Sequence, residues 1–445
     1  MVRTPVEANK TRQTGKGALK TMLKPNGAAE LTAFTEKSYK ETITPIVPGI
    51  WHVLGVGHSN AVIIEGRTSV ILVDTLDTLE RGQKLLEIIR SKTEKPVKTI
   101  LYTHGHPDHR GGAGAFSGTD PEIIAFASAT PVLKKTEMLQ DIQNLRGIRQ
   151  FGYALSDEEN ISQGIGIREG LAYGESRAFR QPTTVYDEDK VVREIDGVRL
   201  ELVRLPGETD DQIMIWLPER QVLCCGDNYY GCWPNLYAIR GSQYRDIAGW
   251  LDSLDEILSY SAAYLLPGHT RPLCGKEEVR SVLTGFRDAI RYVLEKTLAG
   301  MNEGKDIDTL ASEIVLPQEY ASLPYLGEYY GCVEWTVRAI FTAYLGWFDG
   351  NPTNLHPLPP KERAEKAVAL AGGADAVLRA AEEAVRKGEC QWCLELCDLL
   401  LTIGVNAEAA RRQKAVALTK LAAYETSANG RHYYLVCAHE LENRH

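Results

Sequence analysis

With 445 residues, 44% hydrophobic and 24% charged, the chain has the composition of an ordinary soluble protein and the length of two or three domains, each able to bury a core without staples. Its formal net charge of -9 argues against nucleic acid as a main partner. No run approaches the roughly 20 apolar residues of a membrane span, residues 1–45 lack the apolar stretch of a secretory signal, and nine cysteines form no regular framework, so a cytoplasmic location is expected.

Residues 1–45, rich in Lys, Thr and Gly, read as an arm without strong periodicity, either poorly ordered or wrapped over another surface. Short β-branched runs follow at 51–56, 60–66 and 69–75, separated by turn residues, and predict strands. The spacing of Leu79, Leu85, Leu86, Ile88 and Ile89 predicts a helix over 77–91. Residues 97–103 read as a buried strand that ends in a cluster of histidines. The polar, Gly-bearing segment 134–184 reads as an insertion with short helices covering a sheet edge or a pocket. Strand texture resumes in VVREI, VRLELVRL, IMIWLP and QVLCCGD, then a helix and a strand over 247–266, which together indicate a mixed sheet sandwiched by helices over 46–275.

Beyond this the pattern is helical. Residues 276–360 form a connecting segment in which nine of the 29 residues from Tyr320 to Phe348 are aromatic, against 8% overall. Such a concentration suits a core, a dimer interface or an aromatic wall for an apolar substrate. After a proline-rich hinge at 350–360, residues 361–445 read as helical hairpins of tetratricopeptide-like texture. Cys390, Cys393 and Cys397 spell C-x-x-C-x-x-x-C. Their i, i+3, i+7 spacing marks the buried stripe of a helix better than a metal site, because no histidine lies nearby.

The strongest chemical signal is Thr103-His104-Gly105-His106-Pro107-Asp108-His109-Arg110-Gly111-Gly112. An extended segment would aim His104, His106 and Asp108 one way and His109 toward a second point, so two metal subsites can share the loop. Further donors are then required at later strand ends. Glu208 in PGET, Asp227 in CGDN and His269 in PGH each follow a predicted strand beside glycine.

The H-x-H-x-D-H loop with these later donors resembles the metallo-β-lactamase-fold hydrolases. Glutamate in PGE, together with NLYAIRG at 235–241 and YLGWFDGNP at 344–352, is similar to the alkylsulfatase branch, and the helices after 360 are similar to its dimerisation domain. The resemblance implies an α/β fold, an αββα sandwich followed by an all-helical dimerisation domain, in a homodimer formed through the C-terminal helices. It implies two zinc ions, with iron or manganese as alternatives, that activate water for attack on a small organic sulfate ester. Carried onto this chain, His104, His106 and Glu208 hold one metal, Asp108, His109 and His269 the other, and Asp227 lies between them, with Asp108 and Asp227 also serving catalysis. Arg240 and Asn235 are the expected sulfate holders. The branch carries histidines between its bridging acid and the Asn, where this chain has Tyr229-Tyr230-Gly231-Cys232-Trp233-Pro234; Tyr230 is then a candidate acid, against the plainer reading that it packs beside Trp233. Other readings keep the metals but change the bond, to a lactone, thioester or phosphoester, or make the pair iron and the chemistry redox. A partner-binding scaffold is the fourth, and the seven donors speak against it.

Overall fold

The computed structural model describes residues 26–128 and 133–443. In chain order it comprises α1 (Gly27–Ser38), β1 (Thr42–Val47), β2 (Ile50–Leu54), β3 (Ala61–Glu65), β4 (Val70–Val73), α2 (Leu79–Lys92), β5 (Val97–Leu101), α3 (Pro107–Arg110), β6 (Glu122–Phe126), α4 (Gln140–Phe151), α5 (Asp157–Asn160), β7 (Thr184–Tyr186), β8 (Lys190–Ile195), β9 (Val198–Arg204), β10 (Ile213–Leu217) and β11 (Val222–Gly226). Then come α6 (Ile247–Ser259), β12 (Tyr264–Pro267), β13 (Leu273–Cys274), α7 (Lys276–Asn302), α8 (Ile307–Glu313), α9 (Gln318–Ala321), α10 (Val333–Leu345), α11 (Pro360–Leu370), α12 (Ala374–Lys387), α13 (Cys390–Ile403), α14 (Ala407–Tyr424) and α15 (Ala428–Glu442).

The residue pattern alone indicated one mixed sheet and the resemblance an αββα sandwich; the strands form two sheets, as the sandwich requires. The first runs β1-β2-β3-β4-β5-β6-β7 and the second β13-β12-β11-β10-β9-β8. Strand β4, VILV, shows why: all four residues are buried. Ile71 and Val73 face a core shared with Leu200, Ile213, Ile215 and Leu266 of the second sheet. Val70 and Leu72 face Leu85 and Ile89 of α2. Alternate residues thus bury opposite faces, and an uninterrupted apolar run is the result. The outer face of the second sheet packs Met214, Leu223 and Leu265 against α6 and α7 through Trp250, Leu254 and Phe286. The order of layers is helix, sheet, sheet, helix.

Residues 1–25 of the expected arm lie outside the described residues. Residues 26–45 lie over other elements: α1 lays Gly27 against α14, where a Cβ would stand 2.1 Å from the Tyr424 carbonyl oxygen. Phe34 stacks on Tyr329 at 3.9 Å, and β1 pairs with β2 from Thr42. Only Gly27 and Leu31 of α1 are fully buried, too few to leave a periodic signal.

The helices α11 to α14 pack through a separate core that includes Val377, Ala381, Cys393, Cys397, Leu400 and Leu418. All three cysteines of the C-terminal cluster are free and buried there, with the Sγ atoms of Cys393 and Cys397 3.8 Å apart. They serve as small apolar residues. The aromatic segment divides: Tyr330 and Phe341 are buried, whereas Tyr344 and Trp347 are exposed.

Candidate metal centre

The expected donors all sit in loops leaving one edge of the two sheets. His104 to His109 follow β5, Glu208 lies between β9 and β10, Asp227 follows β11, and His269 follows β12. Within the first loop the structure departs from the extended geometry. Pro107 opens the short helix α3, a position that suits its fixed φ and missing N–H. The helical turn separates Asp108 and His109 from His104 and His106.

Three groupings result, one of them His58, Asp108 and His269. His104, His106, Glu208 and Asp227 each offer an atom within 4.8 Å of the others, as do His109, Asp227 and His269. Asp227 belongs to both of the latter. Its Oδ2 lies 3.7 Å from His104 Nε2 and 3.3 Å from His269 Nε2, while its Oδ1 lies 3.5 Å from His109 Nε2. Asp108 Oδ2 is 3.4 Å from Nε2 of both His109 and His269. A tetrahedral ion with bonds of about 2.0–2.1 Å has edges of roughly 3.3–3.4 Å, so the donors around Asp108 and Asp227 are spaced like the corners of a coordination shell.

Hydrogen bonds at the rear of the rings aim these atoms. His109 Nδ1 donates to Asp74 Oδ2 at 2.8 Å. His269 Nδ1 faces the carbonyl oxygens of His58 and Ile165 at 3.2 and 3.1 Å, which can only accept. Thr103 gives its hydroxyl proton to Asp74, so its oxygen accepts from His104 Nδ1 at 3.0 Å. Each neutral ring therefore turns a bare Nε2 inward. Nε2 of His104, His109 and His269 and Oδ1 of Asp227 are buried and, among the described residues, have no hydrogen-bond partner. Unsatisfied buried acceptors converging from separate loops fit a bound divalent cation and little else. Gly268 is required for this convergence, since a Cβ there would lie 2.2 Å from Asp227 Oδ1.

Charge supports the same conclusion. Burial alone would raise the Asp108 and Asp227 carboxyls, yet the surrounding imidazoles hold both well below the ordinary range. Burial opposes protonation of His269, but Asp227 and Asp108 push its pKa up to about 10. Without a metal, the carboxylates hold protons on the His109 and His269 rings, while burial keeps His104 neutral; a divalent cation takes the place of those protons.

The centre floors a cavity of about 630 Å³. Helix α4, from the segment expected to cover a pocket, supplies one wall through Gln143, Ile148 and Phe151, and Tyr330 supplies another. Asn235 and Arg240 line the cavity too. Both polar atoms of the Asn235 amide are buried and lack a partner among the described residues. Arg240 makes a hydrogen bond to the neighbouring Gly241 carbonyl at 3.3 Å, and no carboxylate among the described residues pairs with it. Tyr230 is not in the wall. Its ring packs against Trp250, His269 and Tyr330, and burial pushes its hydroxyl well above the ordinary phenol range.

Three residues near the centre escaped the sequence reading. Arg245, almost fully buried, pairs with Glu208 Oε1 at 2.7 Å and donates to the Asn235 carbonyl. Asp74 was visible only as an acid ending the apolar run VILVD, and His58 only as a turn residue in GVGHSN.

Residues 54–269 match the metallo-beta-lactamase superfamily, and residues 306–444 match the alkyl sulfatase dimerisation family. A linear primary-alkylsulfatase of Pseudomonas sp. is 36% identical over 391 residues, covering 86% of this chain and 74% of that protein. The alkyl/aryl-sulfatase BDS1 of Saccharomyces cerevisiae is 34% identical over 412 residues, covering 89% of this chain and 63% of that one. Among solved structures, the stereoselective inverting sec-alkylsulfatase Pisa1 from Pseudomonas sp. superposes with a TM-score of 0.82 at 28% identity, over 91% of this chain and 66% of that chain. The chain thus spans less than two thirds of the yeast relative.

Proposed function

Because the chain belongs to the alkylsulfatase family of the metallo-β-lactamase superfamily, we propose that it is a binuclear zinc hydrolase cleaving the sulfate ester of a small organic alcohol. Residues 46–275 form the catalytic domain on this reading, 276–360 connect, and 361–445 hold two copies together as a homodimer. His104, His106 and Glu208 would hold one ion and Asp108, His109 and His269 the other, with Asp227 placed between the two sets. The ions, when bound, supply an activated water at neutral pH and neutralise charge on the ester. The chain itself orients the substrate. Glu208 in place of an imidazole makes the centre more anionic, so a sulfate group needs a cationic anchor away from the metals. Arg245 is committed to Glu208, whereas Arg240 lines the cavity and, among the described residues, pairs with no carboxylate. A guanidinium can grip two sulfate oxygens and the Asn235 amide a third. Ile148, Phe151, Ile165 and Leu171 offer an apolar wall to the organic group.

The observation that carries this reading is the Asn235 amide, buried and without a partner among the described residues, which with Arg240 lines the same cavity as the metal donors. The test is sulfate release from a varied set of organosulfates by purified, zinc-loaded protein, alongside carboxylic and phosphate esters. Arg240→Ala is expected to keep its metal and lose at least about a hundredfold in kcat/KM, the equivalent of two charge-assisted hydrogen bonds. Turnover of carboxylic esters with no organosulfate touched would overturn the substrate class. In ¹⁸O water, label in the alcohol identifies C–O cleavage and label in sulfate identifies S–O cleavage.

A further inference from the structure

His58, in the turn between β2 and β3, stands outside the seven donors. It is 3% exposed, lines the cavity, and offers an atom within 4.8 Å of Asp108 and His269 donors. Its Nε2 lies 4.0 Å from Asp108 Oδ2, and its ring meets that of His269 at a centroid distance of 5.2 Å. We propose that His58 Nε2 is a further protein ligand to the metal held by Asp108 and His269, so that this ion has one more imidazole than the seven-donor set provides. The inference rests on the metal-centre reading above and deepens it.

The surroundings of the ring are built for this role. Nδ1 lies 3.0 Å from the Ile167 carbonyl oxygen. A carbonyl can only accept, so in the neutral ring Nδ1 carries the proton and Nε2 keeps its lone pair, the same rear fixing seen for His109 and His269. Gly166 permits the approach, because a Cβ there would stand 2.0 Å from the His58 carbonyl oxygen and 2.8 Å from Nδ1. The backbone is tied at both ends. His58 N–H donates to Asp77 Oδ1 at 3.1 Å, and Asn60 joins the turn to the His269 loop through its N–H to Gly268 and its amide to Pro267 and Thr270. The His58 carbonyl itself faces Nδ1 of His269. One turn therefore orients a donor with its backbone and presents another with its side chain. The 4.0 Å between His58 Nε2 and Asp108 Oδ2 is wider than the 3.4 Å between Asp108 Oδ2 and His269 Nε2, yet within the span of two zinc–ligand bonds of about 2.0–2.1 Å, so one ion would reach both atoms.

The test reads metal, not turnover. In the cobalt-loaded native protein, each imidazole bound through Nε2 with a protected Nδ1–H gives one hyperfine-shifted exchangeable proton signal. His104, His106, His109 and His269 of the seven-donor set account for up to four such signals, and His58 is expected to add one more. His58→Ala should remove that signal alone and weaken retention of one of two zinc ions in chelator competition by at least about tenfold. An unchanged set of signals in the variant, or equal retention of both ions by it, would overturn the role of His58 while leaving the centre standing. Failure of the native protein to take up metal would overturn both.

Discussion

Asp74 closes β4 and binds no metal in any reading, yet three donors depend on it. Its Oδ1 accepts from the Thr103 N–H at 2.8 Å, and its Oδ2 accepts from the Thr103 hydroxyl at 2.7 Å and His109 Nδ1 at 2.8 Å. An amide in its place must turn NH2 toward at least one of these donors, leaving two donors face to face in a buried site. The backbone does not object, since the left-handed φ of 58° is tolerated by asparagine as by aspartate. Asp74→Asn is thus expected to keep the fold while releasing zinc about 10 to 100 times more readily, read by chelator competition with circular dichroism as the control. Equal retention would show that His109 needs no rear carboxylate. The same residue illustrates what a sequence discloses at this scale. The donors of the His104 to His109 loop are legible because they are contiguous and chemically improbable in a turn. Asp74, Arg245 and His58 act through tertiary neighbours supplied by loops far along the chain, and nothing in their local spacing marks them.

At the scale of elements, the legible features were those with a period. The strands of both sheets and α2 follow their apolar spacing, whereas α1 and the pairing of strands into two sheets did not declare themselves, since alternate burial against two different layers looks in sequence like one continuous apolar strand. The junction of α14 and α15 carries a different kind of information. Glu425, at the end of α14, accepts from the Ser427 N–H at 2.9 Å and lies near Glu328 and Glu334. Burial, reinforced by those two acids, pushes its carboxyl from 4.5 to about 7. Between these values the folded chain holds a proton that the unfolded chain has released, so stability falls as pH rises from about 4.5 to 7 and stays reduced above it. Glutamine keeps an acceptor for Ser427 and has no charge to bury. Glu425→Gln is expected to raise stability by about 2 kcal/mol at pH 8 and by little at pH 4.5, measured by denaturant unfolding at both values. An equal gain at both would assign the effect to packing.

At the scale of the whole molecule, one stretch leaves large apolar side chains exposed on a single copy of the chain. Tyr344, Leu345, Trp347, Leu355 and Leu358, all within the span that matches the dimerisation family, are between 45% and 75% exposed. Scattered apolar side chains need no explanation, but five large ones within fifteen residues make a patch of the kind a second copy covers. The aromatic segment therefore divides near the end of α10: Tyr330, on the cavity wall, and Phe341 are buried, whereas Tyr344 and Trp347 are exposed. The patch lies at the end of α10, whose buried face packs on α7 and α8, and its outer side chains contribute nothing to that packing. Charge placed there is costly only if another chain must bury it. Trp347→Glu combined with Leu345→Glu is accordingly expected to shift the protein from dimer to monomer in sedimentation equilibrium while zinc content and thermal unfolding of the catalytic domain stay near native values. A dimer of undiminished affinity would mean that the copies meet through α11 to α15 alone, and that the exposed aromatic face serves a different partner.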